Sequence, residues 1–330
     1  MPARAFRPCS TRQTRNREAA FYSPPGQSTP VKTLILRSTL SSQCNRLWSC
    51  SIILSMADTH AVNFERTSLG RTCLDVGRLG VAAGYGVSGK AVEYAFERGV
   101  NYVFWGSRRT ESFGAALKGL RFHRDRLVLI VQSYTRMAGL LAWSLEGALR
   151  ALNFNYTDIL LLGLWNRTVP PRILDAARKL KERGLVRFLA VSTHNRAIVP
   201  RIAAGNDFDV VHFRYNAAHP GAEDDIFPHL SDTNAPGMVS FTATSWKQLL
   251  GKAPLQGILP GTHRLPKGER VPNATDCYRF VLSRREVDVC LTGPANIEQM
   301  EQALEAIRLG PMTEDELTWM RRVGRAVAGK

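Results

Sequence analysis

The chain has 330 residues, 44% of them hydrophobic, enough to bury a sizeable core in one large barrel or two medium domains. Lys and Arg number 44 against 28 Asp and Glu, a formal net charge of +16. No apolar run approaches the roughly 18 residues of a membrane helix. No CxxC or Cys/His spacing marks a zinc site.

The charge is uneven. Residues 1–56 hold eight basic residues and one acid, Glu18, leaving 36 basic against 27 acidic residues in 57–330. A basic domain can imply nucleic acid. Here the charges fall between apolar periods and form no dense run, so solvated helix faces are the favoured reading and no nucleic-acid partner is expected. The first 60 residues, rich in Arg, Ser, Thr and Pro, read as a disordered basic segment. Their composition also fits an organelle transit peptide, and a third reading places the start at Met56. The folded domain is expected over 61–330. Its cysteines read as buried free thiols in a reducing compartment, which points to the cytoplasm, or to an organelle if residues 1–56 are a transit peptide.

From residue 64 strand-like and helical runs alternate. Strands are predicted at Leu79–Ala83, Tyr102–Trp105, Leu127–Val131, Asp158–Leu162, Val186–Val191, Asp209–Phe213, Met238–Phe241 and Val287–Leu291. Helical periods fall between them at Ser88–Arg98, Glu111–Leu120, Leu140–Leu152, Pro171–Arg183, Arg196–Ala204, Glu223–Leu230, Thr275–Ser283 and Ile297–Leu309. A short helix is expected near Trp246–Leu250, then a Gly/Pro-rich loop over 251–273. Thr313 and Glu316 form a capping box that opens a last helix. Continuous apolar strands imply a parallel sheet covered on both faces. Eight such units match a (β/α)₈ TIM barrel, with a doubly wound sheet as runner-up.

Three segments carry candidate chemistry. Gly84-Tyr85-Gly86-Val87-Ser88-Gly89 matches GxGxxG, but residues 101–107 lack the acid that a dinucleotide site of that type needs on the next strand. A turn closing the first barrel unit is the favoured reading. Ser192-Thr193-His194-Asn195-Arg196 follows the fifth strand. Ser192 and Asn195 could bond a carboxamide, or Thr193 or Asn195 could cap a helix, and both readings stand. His212-Phe213-Arg214-Tyr215-Asn216, with His219, ends the sixth strand. Alternation places His212 and Arg214 on one face and Phe213 on the other. A third metal ligand is missing, so no metal is expected.

Four stretches then carry a resemblance. Arg66 to Gly80 looks like the opening hairpin of the aldo-keto reductase superfamily. Glu97-Arg98-Gly99-Val100-Asn101-Tyr102 resembles that family's approach to its second strand. Leu145 to Leu152 with Tyr156-Thr157-Asp158 resembles the segment before its fourth strand. Lys181-Glu182-Arg183-Gly184-Leu185-Val186-Arg187-Phe188-Leu189-Ala190-Val191-Ser192 is the most specific match. The resemblance runs from about 64 to 325. It implies a (β/α)₈ barrel with an N-terminal β-hairpin cap and a C-terminal extra helix, binding NADP or NAD across its C-terminal mouth.

The resemblance also implies an oxidoreductase that reduces a carbonyl, with a non-standard active site. The family's catalytic Asp falls on Phe104. Its Tyr falls in the Tyr-free stretch Arg108-Arg109-Thr110, its Lys on Gln132 and its His on Gly163. Replacement catalysts are Tyr134, two residues past Gln132, to supply the proton, and Arg108, Arg109 or His194 to polarise a carbonyl. Cofactor contacts are expected from Ser192, Thr193 (where an Asn is usual), His212 (where a Gln is usual), Phe241 as the aromatic that stacks on nicotinamide, Thr292 and Gly293. No basic residue marks a 2′-phosphate site, so NADP and NAD both stand. Trp105, Trp165 and Asn166 are expected to line the substrate pocket. The alternative is an inactive barrel that binds a nicotinamide cofactor or an anionic ligand as a sensor or partner subunit.

Overall fold

The computed structural model describes residues 64–106, 109–231, 233–252 and 261–329. The expectations for residues 1–60 and for Arg108 lie outside these residues.

The chain opens with an antiparallel hairpin, β1 (Arg66–Ser68) and β2 (Asp75–Gly77). Eight parallel strands then close a barrel: β3 (Leu79–Ala82), β4 (Tyr102–Trp105), β5 (Val128–Gln132), β6 (Thr157–Leu164), β7 (Val186–Thr193), β8 (Val210–Arg214), β9 (Gly237–Phe241) and β10 (Val289–Thr292), with β10 paired to β3. The helices that cross between them are α1 (Gly89–Glu97), α2 (Glu111–Leu120), α3 (Ala138–Leu152), α4 (Pro171–Glu182), α5 (Val199–Ala204), α6 (Ala222–Asp225) and α7 (Ala274–Leu282). After β10 come α8 (Ile297–Leu309) and α9 (Glu314–Ala328). The architecture is a (β/α)₈ barrel with a hairpin at one end and an extra C-terminal helix.

Strand alternation builds two cores. On β5, Val128 and Ile130 face the barrel interior while Leu129 and Val131 face the helices. Leu69, Leu74 and Val76 of the hairpin region join the interior cluster and plug the end where the strands begin. The outer core is closed by helix faces such as Leu141, Leu145, Leu149 and Leu152 of α3. Each such leucine contributes about 1.5–3 kcal/mol by leaving water.

Polar side chains at the strand starts fix the register. Asp158, Asp209 and Asp288 each accept a backbone N–H from a neighbouring strand, those of Leu129, Leu189 and Met238, at 2.8–2.9 Å. Asn101 accepts from Gly77 N at 3.0 Å and donates to Asp75 and Arg126 carbonyls, tying the hairpin to the barrel floor. That gives the Gly99-Val100-Asn101 stretch its physical meaning. Gly99, at φ +89°, turns the chain out of α1, and Asn101 locks β4 in place.

The predicted elements shift in three places. The 196–204 helix is split by a 3₁₀ turn at Arg196–Ile198, and the 223–230 helix shortens to α6 plus a 3₁₀ turn at Phe227–His229. The segment near Trp246 is a 3₁₀ turn at Gln248–Leu250. Prolines 200 and 228 lie at the start of the second piece in the first two cases, where the missing N–H costs least. Cys277 and Cys290 are buried free thiols, and burial raises their pKa. Cys73, exposed beside the hairpin, is disulfide-bonded, which corrects the free-thiol expectation there.

Candidate active site

The strands deliver their last side chains to the mouth at the C-terminal end of the barrel. β4 ends with Phe104 turned inward and Trp105 turned outward. The Phe104 ring packs over Gly106, where a Cβ would come within 2.9 Å of it, and meets His212 edge-on at 5.6 Å. Trp105 packs on Phe113 of α2, with ring centroids 5.7 Å apart, and against Gly114. Its assignment to the substrate pocket is therefore corrected: with Phe104 inside, alternation sends Trp105 to the helix layer.

β5 ends with Gln132, which gathers three partners. The Tyr134 hydroxyl donates to its Oε1 at 2.9 Å. Arg109 donates to its carbonyl at 2.6 Å and to that of Gly106 at 3.0 Å. Burial lowers the Arg109 pKa, and Tyr134 beside it acts the other way. The Gln132 amide also leans toward Gly163 of β6, with Nε2 3.4 Å from where a Cβ would stand. Gly163 has φ +82° and marks an irregularity in the β6–β7 register between Leu161 and Leu164. This position thus serves as a bulge in the strand.

Beyond it, Trp165 is buried, donates to Leu162 O at 2.8 Å and is covered by the Arg136 guanidinium at 3.8 Å. Asn166 is spent on the backbone and on Thr193. Its Oδ1 accepts from His194 N at 2.8 Å and from Thr193 Oγ1 at 3.4 Å, and its carbonyl accepts from Asn195 Nδ2 at 3.1 Å. Of the two capping candidates, Asn195 holds the N-cap position of the 3₁₀ turn Arg196–Ile198 but makes no side-chain cap bond, while the Thr193 hydroxyl accepts from Asn195 N at 3.0 Å and so shapes the loop.

Ser192 ends inward on β7, next to His194. The His194 ring meets Phe241 of β9 edge-to-face at 5.4 Å. Burial first and then nearby Arg214 lower the His194 pKa, so its neutral form prevails. His212 lies one layer below the mouth, buried, with Nε2 2.8 Å from the Tyr102 hydroxyl. Burial pulls its pKa down to about 3, so it is uncharged at neutral pH. Thr292 is buried as well, its hydroxyl donating to Gly80 O at 2.9 Å.

A groove of about 470 Å³ runs along one side of the mouth, lined by Thr242, Lys247, Gly293, Pro294 and Gln299 among others. Thr242, Ser245, Trp246 and Lys247 all have positive φ, which curls this loop tightly and presents backbone groups along the groove. Gly293 was anticipated; Lys247 and Gln299 were not. The signal for Gln299 is Asn296, whose side chain caps α8 and aims its first turn at the groove. A larger cavity of about 580 Å³, beside Arg71, Arg284 and Asp288, includes Asp288, one of the carboxylates at the strand starts. Among the described residues no group of three or more His, Cys, Asp or Glu side chains is placed to hold a metal, and no helix is long and apolar enough to cross a membrane.

Residues 88–245, from the cap of α1 through the curled loop after β9, match the aldo/keto reductase family model. The chain carries an aldo/keto reductase domain. Among solved structures it is similar to the aldo-keto reductase AKR11C1 from Bacillus halodurans. The TM-score is 0.62 to the apo form and 0.64 to the holo form, at 17% identity, over 79% of this chain and 96% of that one. No curated protein matches the chain. The family and the barrel support an oxidoreductase-like function.

Proposed function

We propose that this barrel binds a nicotinamide dinucleotide, NADP or NAD, across its C-terminal mouth and reduces a small carbonyl compound, with Tyr134 as the proton donor. The observation that carries the reading is the group at the end of β5. A tyrosine hydroxyl bonded to Gln132, with the Arg109 guanidinium beside it, stands across the barrel from Phe241. Fit to the cofactor rests on the groove. It is lined by Lys247 and Lys252, by Gly293 and Pro294, and by Thr242, the residue that follows Phe241. Lys247 and Lys252 would meet phosphates, Phe241 and Ser192 the nicotinamide end.

When bound, the dinucleotide supplies a hydride to the carbonyl carbon. Tyr134 gives its hydroxyl proton to the carbonyl oxygen as negative charge grows there, the usual role of a general acid. Tyr134 is 53% exposed, so it recovers its proton directly from solvent. Arg109, held by two backbone carbonyls, keeps positive charge beside the phenol. His194, neutral and set against Phe241, offers a hydrogen bond to the substrate oxygen.

A second reading has its own observation. Phe104 fills its position with an apolar ring, and Gly163 leaves its position to the Gln132 amide. A barrel that binds the dinucleotide without turnover fits these two replacements. Titration with NADPH and with NADH, followed by a panel of aldehydes and ketones monitored at the dihydronicotinamide absorbance, separates the readings. Binding with oxidation of the cofactor supports the reductase, and binding alone supports the sensor. No affinity for either dinucleotide sinks both.

A further inference from the structure

The mouth is built for an anion on its substrate side as well as along the groove. Seven of the eight loops that follow the barrel strands contain no Asp or Glu; the long loop after β9 holds Glu269, which is bonded to Arg322 and Trp319. Most arginines near the mouth are committed. Arg109 bonds two carbonyls, Arg136 lies on Trp165, and Arg196 bonds Asp225 at 2.6 Å. Arg214 is different. It ends β8 two residues after the interior His212, so it stands on the inward face at the rim. It is half-buried and makes no hydrogen bond, ion pair or ring contact with a described residue. Its titratable neighbours are Arg196, itself paired with Asp225, and the neutral His194 imidazole, so no acid among the described residues stands beside it.

A guanidinium held partly out of water, beside a second arginine and facing a ligand mouth, is satisfied by an incoming anion. From this geometry we infer that Arg214 anchors the carboxylate of the substrate, which is a small aldehyde or ketone bearing a carboxylate group. The inference rests on the reading that this mouth takes a carbonyl substrate. A guanidinium matches a carboxylate through two parallel N–H···O bonds, which fixes orientation as well as affinity. Strands β4 and β8 are diametrically opposed, so Phe104 faces Arg214 across the mouth. The substrate's apolar middle lies between that ring and Phe241, and its anionic end lies at Arg214.

The test uses succinate as a non-reactive dicarboxylate probe, titrated by calorimetry into the full chain with and without saturating NADPH. Arg214→Gln and Arg214→Lys are compared with the parent. Expected results are measurable succinate binding by the parent, a loss of roughly tenfold or more in Arg214→Gln, and partial retention in Arg214→Lys. A paired turnover measurement compares 4-oxobutanoate with butanal, and the preference for the anionic substrate should drop by a similar factor in Arg214→Gln. Inorganic phosphate serves as a further probe, and stronger binding of phosphate than succinate at Arg214 overturns the carboxylate assignment. Equal succinate affinity in parent and Arg214→Gln overturns the inference. A fall in NADPH affinity with succinate unaffected overturns it too, by giving Arg214 to the cofactor. Succinate binding that depends on Arg214 in a chain with no dinucleotide affinity leaves the anion site standing while the reductase reading falls.

Discussion

The Tyr102 hydroxyl and His212 Nε2 meet 2.8 Å apart across the full width of the barrel, joining β4 to the diametrically opposed β8. The pair lies immediately under the mouth, beneath the Phe104 ring that touches His212. It is a polar crosspiece in an otherwise apolar interior, and it holds the floor on which the site residues stand. Both groups are buried, and burial raises the Tyr102 pKa and lowers that of His212.

The neutral state of His212 makes stability depend on pH. The unfolded chain takes up this proton near the ordinary value of 6.5, whereas the folded site resists it until about 3. The native state therefore keeps the full contribution above about pH 6.5 and loses it as pH falls toward 3. Between pH 7.5 and 5.5 the loss is about 1.4 kcal/mol. In His212→Gln, which retains an acceptor for Tyr102, that loss is absent. Urea unfolding of both proteins at the two pH values checks this, and parallel losses would mean that His212 is not held neutral.

Tyr134→Phe removes the proposed proton donor, a half-exposed hydroxyl that donates to the Gln132 side chain. The expected outcome is a fall of about 10²–10⁴ in kcat, with dinucleotide affinity unchanged. Steady-state kinetics with a cofactor titration measures both. Unchanged turnover removes Tyr134 from the role.

Gly163 cannot simply be given back a side chain. Its φ of +82° costs an L-residue about 1–2 kcal/mol. A Cβ would also press on Ser133 O at 3.2 Å and on the Gln132 amide. Gly163→Ala should lower the melting temperature, and Gly163→His should do so without raising activity. A Gly163→His protein as stable as its parent would show that the bulge adapts freely.

These substitutions mark how far the sequence could be read. The barrel was legible because alternation of continuous apolar strands with amphipathic helices is a property of the local chain, and strand existence follows from it. The contacts across the mouth were not. Neighbours such as Gln132 and Gly163, or His194 and Arg214, come from different strands, and spacing does not report the angle at which each side chain leaves its strand. Trp105 shows the limit within one strand. Its place at the strand end predicts a pocket residue, yet period-two alternation puts its ring and that of Phe104 on opposite faces. The groove loop was missed for a related reason: left-handed conformations at Thr242, Ser245, Trp246 and Lys247 have no glycine to announce them.

Asp158 tests the opposite end of the barrel. It is buried, accepts from Leu129 N, and meets Arg124 at 2.7 Å and Arg187 at 2.8 Å. Asp158→Asn keeps the backbone bond and leaves two guanidiniums without their counter-charge. The expected cost is about 2–4 kcal/mol, below that of a fully buried pair because both arginines retain some contact with water. Chemical denaturation measures it, and a cost under about 0.5 kcal/mol would mean that this pair behaves as a surface ion pair.

Trp105 and Phe241 should separate stability from binding. Trp105 lies in the outer core against Phe113 and Gly114, so Trp105→Leu removes packed volume there and costs about 2–4 kcal/mol. The mouth does not include its ring, so dinucleotide and succinate affinities should be those of the parent. Phe241 is half-buried at the mouth beside His194, and Phe241→Ala should have the reverse signature. It removes an aromatic face from the proposed nicotinamide site, weakening dinucleotide binding by roughly three- to tenfold, and leaves a smaller mark on the melting temperature than Trp105→Leu. Thermal melts and cofactor titrations on the two variants give four numbers. If Trp105→Leu weakens the cofactor and Phe241→Ala does not, the inward and outward faces of β4 and β9 have been assigned the wrong way round.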